Sequence, residues 1–255
     1  MLNLLEIQDV TESYQAENGE IFALDRISFS MEKGEFLSIV GPSGCGKSTL
    51  LSIIAGLLPP SSGKILLDGR EVSGVDPRIG YMLQKDNLLE WRTIWKNVLL
   101  GLELRRQVDE ESLARAEGLL KSYGLWEFRE KYPSQLSGGM RQRAALIRTL
   151  ATSPKVLLLD EAFSALDYQT RLEVTDDVYR ILRREKITTL MVTHDIPESI
   201  SMGDRVLILT GRPARVKELL PIDLGAERTP LSCRDDPRFS RYFNHIWKEL
   251  KTNAQ

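Results

Sequence analysis

The sequence predicts an α/β fold in which a block of helices interrupts a mainly parallel sheet. Short apolar strand candidates alternate with helical segments before about residue 91 and again after residue 153, a pattern typical of parallel sheets. Between these parts the strand signals disappear and only helical periodicity remains. The composition, 42% hydrophobic and 27% charged over 255 residues, is that of a globular protein large enough to bury a substantial core.

The first part of the chain contains three strand candidates and one helix. EFLSIV, at 35–40, is a short apolar strand that leads directly into a glycine-rich loop. STLLSIIAGL has helical length and composition, and the turn residues PPSSG at 59–63 end it. KILL and RIGYML are two further strands separated by the turn-rich segment DGREVSGVDP.

The remaining elements follow in order. Three helices are predicted in the interrupting block, at WKNVLLGLELR, ESLARAEGLLKSYGL and MRQRAALIRTLA. Strands return at KVLLLD (155–160), ITTLMVT (187–193) and DRVLILT (204–210), with the helix candidate DYQTRLEVTDDVYRILRREK between the first two. In the tail, one helical face is apolar at Phe239, Phe243, Ile246 and Leu250. We expect this face to pack on its own domain; a docking surface for a partner is the alternative.

Charge and cysteine content exclude several classes of protein. The net charge of −2 argues against a nucleic-acid binder driven by bulk electrostatics. Two cysteines, Cys45 and Cys233, are too few for a disulfide framework. The first residues have no signal-peptide pattern, and the most apolar run, LLSIIAGLLPP, is shorter than the ~20 residues of a membrane span. We therefore expect any membrane role to depend on a partner.

The glycine-rich loop after the first strand predicts phosphate binding. Residues 41–48 match G-x-x-x-x-G-K-[ST], in which backbone N–H groups surround phosphate oxygens at the start of a helix. In this pattern Lys47 reaches the β- and γ-phosphates and the Ser48 hydroxyl binds Mg²⁺. A tight strand-to-helix turn is the alternative, but the flanking strand and helix are the context that phosphate binding requires. The predicted nucleotide contacts are Gly41, Pro42, Ser43, Gly44, Cys45, Gly46, Lys47, Ser48 and Thr49.

Two adjacent carboxylates end the strand at 155–160. Charges at the end of an apolar strand are costly unless they have partners. Successive strand side chains point in opposite directions, so Asp160 can support the Mg²⁺ shell while Glu161 faces the γ-phosphate as a base for water. Alone, the pair would more simply mark a strand leaving the core. After a P-loop, it predicts a nucleoside triphosphatase.

The segment LSGGMRQR, at 136–143, precedes a helix with arginines in its first turns. Helix N-termini usually favour acidic residues, because unpaired N–H groups make that end positive. Arg141 and Arg143 therefore need an anion, and pairing with surface acids is favoured over direct phosphate contact.

LSGGMRQR matches the signature sequence of ABC transporter ATP-binding subunits, and with the two preceding motifs the chain resembles that family. The resemblance implies a head-to-tail homodimer, with ATP between the P-loop of one chain and Ser137, Gly138 and Gly139 of the other. It also implies a P-loop NTPase core with an N-terminal antiparallel β region and an inserted all-helical subdomain. The implied boundaries of this single domain are 1–91 and 153–225 for the core, 92–152 for the helical subdomain and 226–255 for the helical tail.

Other family positions are matched one at a time. Gln84 falls where the family has a glutamine that connects the site of Mg²⁺ and the attacking water to the membrane subunits. Asp167, in SALD, is expected near the partner's P-loop. His194 matches the histidine that touches the γ-phosphate, although alone it would be a helix-start residue with Asp195 as N-cap. Tyr14 is the candidate aromatic for stacking on adenine, with Phe22 as the alternative. The implied metal ligands are Ser48, Gln84 and Asp160, and the implied catalytic residues are Glu161, Lys47, His194 and Gln84.

GPSGCGKSTLL, DNLLEW and NVLLGLELR also resemble ATPases of importers for nitrate, aliphatic sulfonates, taurine and similar solutes, although Glu90 stands where they usually have proline. The resemblance implies ATP and Mg²⁺ as cofactors, and partners that include membrane-spanning permease subunits and a separate solute-binding protein, but no nucleic acid. The expected location is the cytoplasmic face of the cell membrane. Alternatives are a non-transport ATPase, for example in cofactor assembly, and a transporter of another substrate group.

Overall fold

The computed structural model describes residues 3–16, 19–225 and 228–251. In chain order, the strands are β1 (Asn3–Ala16), β2 (Gly19–Glu32), β3 (Phe36–Val40), β4 (Ser62–Leu67), β5 (Arg70–Glu71), β6 (Ile79–Met82), β7 (Val156–Asp160), β8 (Thr188–Val192), β9 (Arg205–Leu209) and β10 (Val216–Pro221). The helices are α1 (Lys47–Ile54), α2 (Ile94–Leu104), α3 (Glu110–Ser122), α4 (Gly138–Leu150), α5 (Tyr168–Glu185), α6 (Ile196–Met202) and α7 (Pro237–Lys251). Short 3-10 turns cover Trp126–Phe128, Pro133–Gln135 and Ser232–Asp235.

The central sheet has the order β10-β9-β3-β8-β7-β6. Its neighbouring strands are parallel, except that β10 runs antiparallel to β9. Every residue of β3 and β8 is buried, as expected for apolar strands covered on both faces. The predicted α/β fold with a mainly parallel sheet is therefore confirmed.

A second sheet, in the order β2-β1-β4-β5, is antiparallel throughout. Strands β1 and β2, each of 14 residues, form most of it. This confirms the N-terminal antiparallel β region that the resemblance implied. One buried cluster lies between this sheet, α1 and one face of the central sheet; its fully buried side chains include Leu5, Ile27, Leu50 and Leu51.

Between β6 and β7 the described elements are all helices or 3-10 turns. Helix α4 packs against α2, α3 and α5, and its apolar face, with Ala144, Leu146 and Ile147, joins a second buried cluster. This is the helical block that interrupts the strand pattern in the sequence.

The C-terminal helix α7 packs on its own domain. Phe239 and Ile246 are buried against α6 and the neighbouring strands, with Phe243 and Leu250 partly buried beside them. The interpretation that the tail folds back is thus confirmed. None of the described helices is long and apolar enough to cross a membrane.

Candidate active site

Parallel strands bring the candidate residues together at one edge of the central sheet. β3, β7 and β8 are neighbours, and the P-loop, Asp160–Glu161 and His194 lie at or just beyond their carboxyl ends. Loops at this edge of an open parallel sheet are where α/β proteins bind ligands.

The P-loop turns from β3 into α1 by way of a left-handed glycine. Gly46, the N-cap of α1, has a backbone φ of 118°, which residues other than glycine rarely adopt. A Cβ at this position would lie 2.9 Å from the Leu24 side chain and 3.1 Å from the Ala23 carbonyl oxygen. Glycine is therefore required both by the backbone angle and by the close approach of β2.

A cavity of about 500 Å³ opens at the N-terminus of α1. It is lined by Ser43, Gly44, Gly46, Lys47, Ser48, Thr49, Glu161 and His194. Lys47 is buried, and its Nζ donates hydrogen bonds to the carbonyl oxygens of Gly41 (2.9 Å) and Pro42 (3.0 Å). The Cys45 side chain is also buried, and burial raises the pKa of its thiol. The cavity thus contains most of the predicted phosphate loop together with Glu161, which follows β7, and His194, which follows β8.

Asp160 faces the P-loop. Ser48 Oγ donates to Asp160 Oδ1 (3.2 Å), and Tyr81 Oη donates to Asp160 Oδ2 (3.0 Å). Burial and the Asp160 carboxylate raise the pKa of Tyr81 well above its usual range, so the phenol stays protonated and remains a donor. The sequence reasoning missed Tyr81, which follows from β6 pairing with β7 opposite Leu158.

The oxygen ligands at Ser48 and Asp160 fit a magnesium ion. Mg²⁺ is held by hydroxyl and carboxylate oxygens, usually one or two carboxylates together with substrate phosphates. Among the described residues, no three or more His, Cys, Asp and Glu side chains cluster as a closed metal site. The arrangement therefore suits a metal that arrives with a nucleotide better than a resident structural metal.

Glu161 leaves the strand by a left-handed backbone step. Its φ is 46°, and its N–H donates to the Val192 carbonyl oxygen (2.9 Å). Its Oε2 then lies 3.2 Å from Nδ1 of His194. Asp160 and Glu161 do point to different partners, as predicted, but Glu161 lies outside β7. The left-handed turn, not strand alternation alone, separates the two carboxylates.

Gln84, just after β6, and Asp167, six residues after Glu161, do not line the cavity. The Gln84 amide donates to Ser164 Oγ (3.0 Å), which in turn donates to the Glu161 carbonyl oxygen (2.9 Å). Asp167 is the N-cap of α5 and accepts a hydrogen bond from the Thr170 N–H (3.1 Å). Ser164, missed as a site residue by the sequence reasoning, therefore connects Gln84 to the backbone of Glu161.

The signature segment lies outside this cavity. Ser137 is the N-cap of α4, accepting from the Met140 N–H (3.4 Å), and Ser137 and Gly138 are exposed. Gly139 is buried, and a Cβ there would lie 2.9 Å from the Val174 side chain.

Arg141 and Arg143, in the first turns of α4, pair with acids, as predicted. Arg141 Nε and Nη2 donate to the two Asp86 oxygens (2.8 and 3.1 Å), and Nη2 also contacts Glu90 (2.7 Å). Arg143 lies 3.6 Å from Asp177. These two arginines are thus occupied within the chain, whereas the N-terminus of α4 at Ser137 and Gly138 is exposed.

The aromatic candidates lie on the β1–β2 hairpin, where Tyr14 pairs with Ile21 and Ser13 with Phe22. Tyr14 and Phe22 are 39% and 45% exposed, and neither lines the cavity. An exposed ring is free to stack on a base, so Tyr14 stays the predicted adenine contact.

The sequence of this chain is similar to those of known ATP-binding proteins. The sequence profile of the ABC transporter family matches residues 24–164. An ABC transporter ATP-binding protein of Bacillus subtilis, YtlC, which is itself uncharacterized, is 47% identical over 253 residues, 98% of this chain and 97% of that protein. The chain therefore belongs to the ABC transporter family and is one of its ATP-binding, ATP-hydrolysing subunits.

Two further comparisons are informative. The nitrate import ATP-binding protein NrtD of Synechocystis is 41% identical over 252 residues, 97% of this chain and 95% of that protein. A solved dimeric structure of the ATP-binding cassette MJ0796, in a post-hydrolysis state bound to ADP and Pi, aligns with a TM-score of 0.72 and 32% identity. The alignment covers 86% of this chain and 99% of the solved one.

Proposed function

We propose that this chain powers a membrane importer of small solutes of the nitrate, sulfonate and taurine group by ATP-driven closure of a head-to-tail homodimer. The observation that carries dimer closure is the separation of two half-sites. The phosphate cavity contains the P-loop, Glu161 and His194, whereas the exposed start of α4 at Ser137 and Gly138 is not part of it. A second chain supplies the missing half, consistent with the dimeric form of the MJ0796 cassette.

In the proposed site, the P-loop N–H groups and Lys47 bind the phosphates, while Ser48 and Asp160, with Gln84, would hold Mg²⁺. The metal would neutralise phosphate charge. Glu161 takes the proton of the attacking water, and its position 3.2 Å from His194 keeps the carboxylate directed into the cavity. Tyr14 stacks on adenine, and Asp167 lies near the partner's P-loop.

The partners proposed are membrane-spanning permease subunits and a solute-binding protein, with the ATPase on the cytoplasmic face of the membrane. The nitrate importer NrtD supports the importer assignment and its solute group, because its similarity extends over 97% of this chain. The P-loop, DNLLEW and NVLLGLELR segments support the same group.

The molar mass of Glu161→Gln in solution tests dimer closure directly. Removing the proposed base slows hydrolysis and should trap the ATP-bound dimer, so we expect a monomer without nucleotide and a dimer with Mg-ATP. Lys47→Ala in the same background removes the phosphate contact and should stay monomeric. A monomer under both conditions, with ATP binding confirmed by a fluorescent analogue, would contradict closure by the chain alone.

A further inference from the structure

Arg171, in the first turn of α5, contacts two segments that carry the candidate catalytic residues. Its Nη2 donates to the carbonyl oxygens of Leu166 (2.7 Å) and Ser164 (3.3 Å). Its Nη1 lies 3.7 Å from Asp195 Oδ2. One guanidinium thus joins the loop before α5 to the loop before α6.

The first of these loops positions Gln84 and Glu161. Ser164 accepts the Gln84 amide and donates to the Glu161 carbonyl, while its own carbonyl accepts from Arg171. Any shift of the Ser164 backbone would therefore move the partners of Gln84 and Glu161 together.

The second loop positions His194. The adjacent residue, Asp195, is fixed on both sides: its N–H donates to Thr193 Oγ1 (3.0 Å) and its Oδ1 caps the Glu198 N–H (2.9 Å). Asp195 Oδ2 is left to face Arg171. Since His194 Nδ1 is 3.2 Å from Glu161, the two loops meet again at the catalytic pair.

The burial of Arg171 indicates that this position is constrained. Its side chain is 25% exposed, and within the described part of the chain its buried Nε has no hydrogen-bond partner. Leaving a charged buried donor unpaired costs free energy. A surface arginine with no further role could turn Nε to solvent, whereas this one is held by the two carbonyls and Asp195.

We propose that Arg171 is a positioning residue for ATP hydrolysis: it sets the loop of Ser164 against the loop of His194, and so aligns Gln84, Glu161 and His194. The inference rests on the proposed roles of these three side chains. It assigns to Arg171 no contact with the nucleotide. Loss of Arg171 should consequently lower kcat and leave KM for ATP nearly unchanged, because the P-loop is not disturbed.

The test compares Arg171→Met with Arg180→Met in the full chain. Arg180 lies on the same helix but pairs with Asp176 through a largely exposed side chain, so it is a matched control. We expect Arg171→Met to lower kcat about tenfold or more, the usual effect of removing an orienting contact, with KM within about twofold of wild type. Arg180→Met should change neither parameter.

A second readout needs no turnover. The chain has two histidines, and the imidazole NMR signals of His194 and His245 can be assigned with His245→Gln. His245 lies on α7 beside Glu218, in a part of the fold that Arg171 does not contact. We expect Arg171→Met to shift the His194 signals and to leave those of His245 in place.

Arg171→Lys keeps the charge but not the planar fork of donors, so partial loss of kcat is expected. If Arg171→Met does not fold, the lysine variant carries the test. Wild-type kcat together with unchanged His194 signals, in Met or in Lys, would overturn the inference, as would an equal loss of kcat in Arg180→Met. A wild-type chain that binds ATP without hydrolysing it would count against the proposed function, whereas the NMR comparison would still decide whether Arg171 positions His194.

Discussion

At the scale of single residues, several positions of the site also have a structural role. Ser137, Asp167 and Asp195 are the N-caps of α4, α5 and α6, each accepting a hydrogen bond from a backbone N–H of the first turn. N-caps of this type contribute about 1 kcal/mol each. Alanine substitutions there would therefore combine loss of a cap with any loss of function, and variants that retain a cap are needed to separate the two.

Glu198 is the residue whose ionisation should be most visible in stability. It is buried behind the His194 loop, and burial, followed by the nearby Asp195 and Glu161 carboxylates, raises its pKa from 4.5 to about 7 despite a hydrogen bond from Thr193. Between pH 4.5 and about 7, Glu198 keeps its proton in the folded chain and has lost it in the unfolded chain. Stability should therefore fall as pH rises through this range, by about 3 kcal/mol when the ionisation is complete.

Glu198→Gln replaces this group by a neutral side chain of the same size and removes the penalty. We expect the variant to gain free energy of unfolding relative to wild type as pH rises from 5 to 8, with the full gain near pH 8. Urea unfolding followed by tryptophan fluorescence at both pH values measures the difference. The same stability difference at pH 5 and pH 8 would show that Glu198 is not protonated in the folded chain near neutral pH.

Tyr81 orients Asp160 through its hydroxyl. Tyr81→Phe removes only this donor, so the carboxylate keeps its contact with Ser48 but loses its second restraint. We expect the Mg²⁺ concentration for half-maximal hydrolysis to rise about tenfold, as is usual when a partner of a metal ligand is removed. The matched control is Tyr123→Phe, whose hydroxyl bonds Glu185 (2.9 Å) away from the site. An equal rise in both variants would contradict the role of Tyr81.

At the scale of elements, helix α4 is joined to the segment that follows Gln84. Arg141 pairs with Asp86 and Glu90, and Arg148 donates to the carbonyl oxygens of Asp86 (2.7 Å) and Asn87 (2.6 Å). The Arg141 hydrogen bonds lower the pKa of Asp86 although burial opposes this. Glu90 thus has a partner on the signature helix.

The two acids should contribute unequally. The side chains of Asp86 and Arg141 are 19% and 24% exposed, whereas that of Glu90 is 52% exposed. Double-mutant cycles with Arg141→Gln, Asp86→Asn and Glu90→Gln should give a coupling above about 1 kcal/mol for Asp86, and about 0.2–1 kcal/mol for Glu90. Urea unfolding in low and high salt measures both, and the Glu90 coupling should weaken more in salt. A larger coupling for Glu90 would contradict this ranking.

Elements with strong local patterns could be predicted, and those that depend on pairing could not. β3, β7 and β8 are short, mainly apolar runs bounded by turns, and the structure places them within two residues of the prediction. β1 and β2 were not found from their residues, because several register shifts break the alternation between buried and exposed positions. Only the family resemblance indicated that sheet.

The same distinction holds in the site. Lys47, Ser48 and Asp160 could be predicted because each belongs to a contiguous motif next to a strand, whereas His194 was indicated only by the family resemblance. The contacts of Tyr81, Ser164 and Arg171 join segments up to 80 residues apart, as in the bond from Gln84 to Ser164. Such contacts depend on strand order and loop packing, which a single sequence does not contain.

At the scale of the whole molecule, the separated half-sites predict complementation between two inactive chains. Lys47→Ala disables the P-loop. Ser137→Asp keeps an N-cap on α4 but places a negative charge where a partner's γ-phosphate is proposed to bind. In a homodimer of either variant both composite sites are defective, so each protein alone should be inactive.

A mixture of the two behaves differently if the sites are shared. The mixed dimer combines the intact P-loop of the Ser137→Asp chain with the intact signature of the Lys47→Ala chain, which makes one complete site and one doubly defective site. Since neither variant completes a site with its own copies, the mixture should hydrolyse ATP faster than the sum of its components. The upper bound is half of the wild-type rate, reached when every dimer is mixed and has one complete site of two. Steady-state ATPase rates of the mixture and of its components measure this. A cavity that is complete within one chain would gain nothing from a neighbouring chain. A mixture no more active than the sum of its components would therefore mean that the exposed N-terminus of α4 does not complete the partner's site.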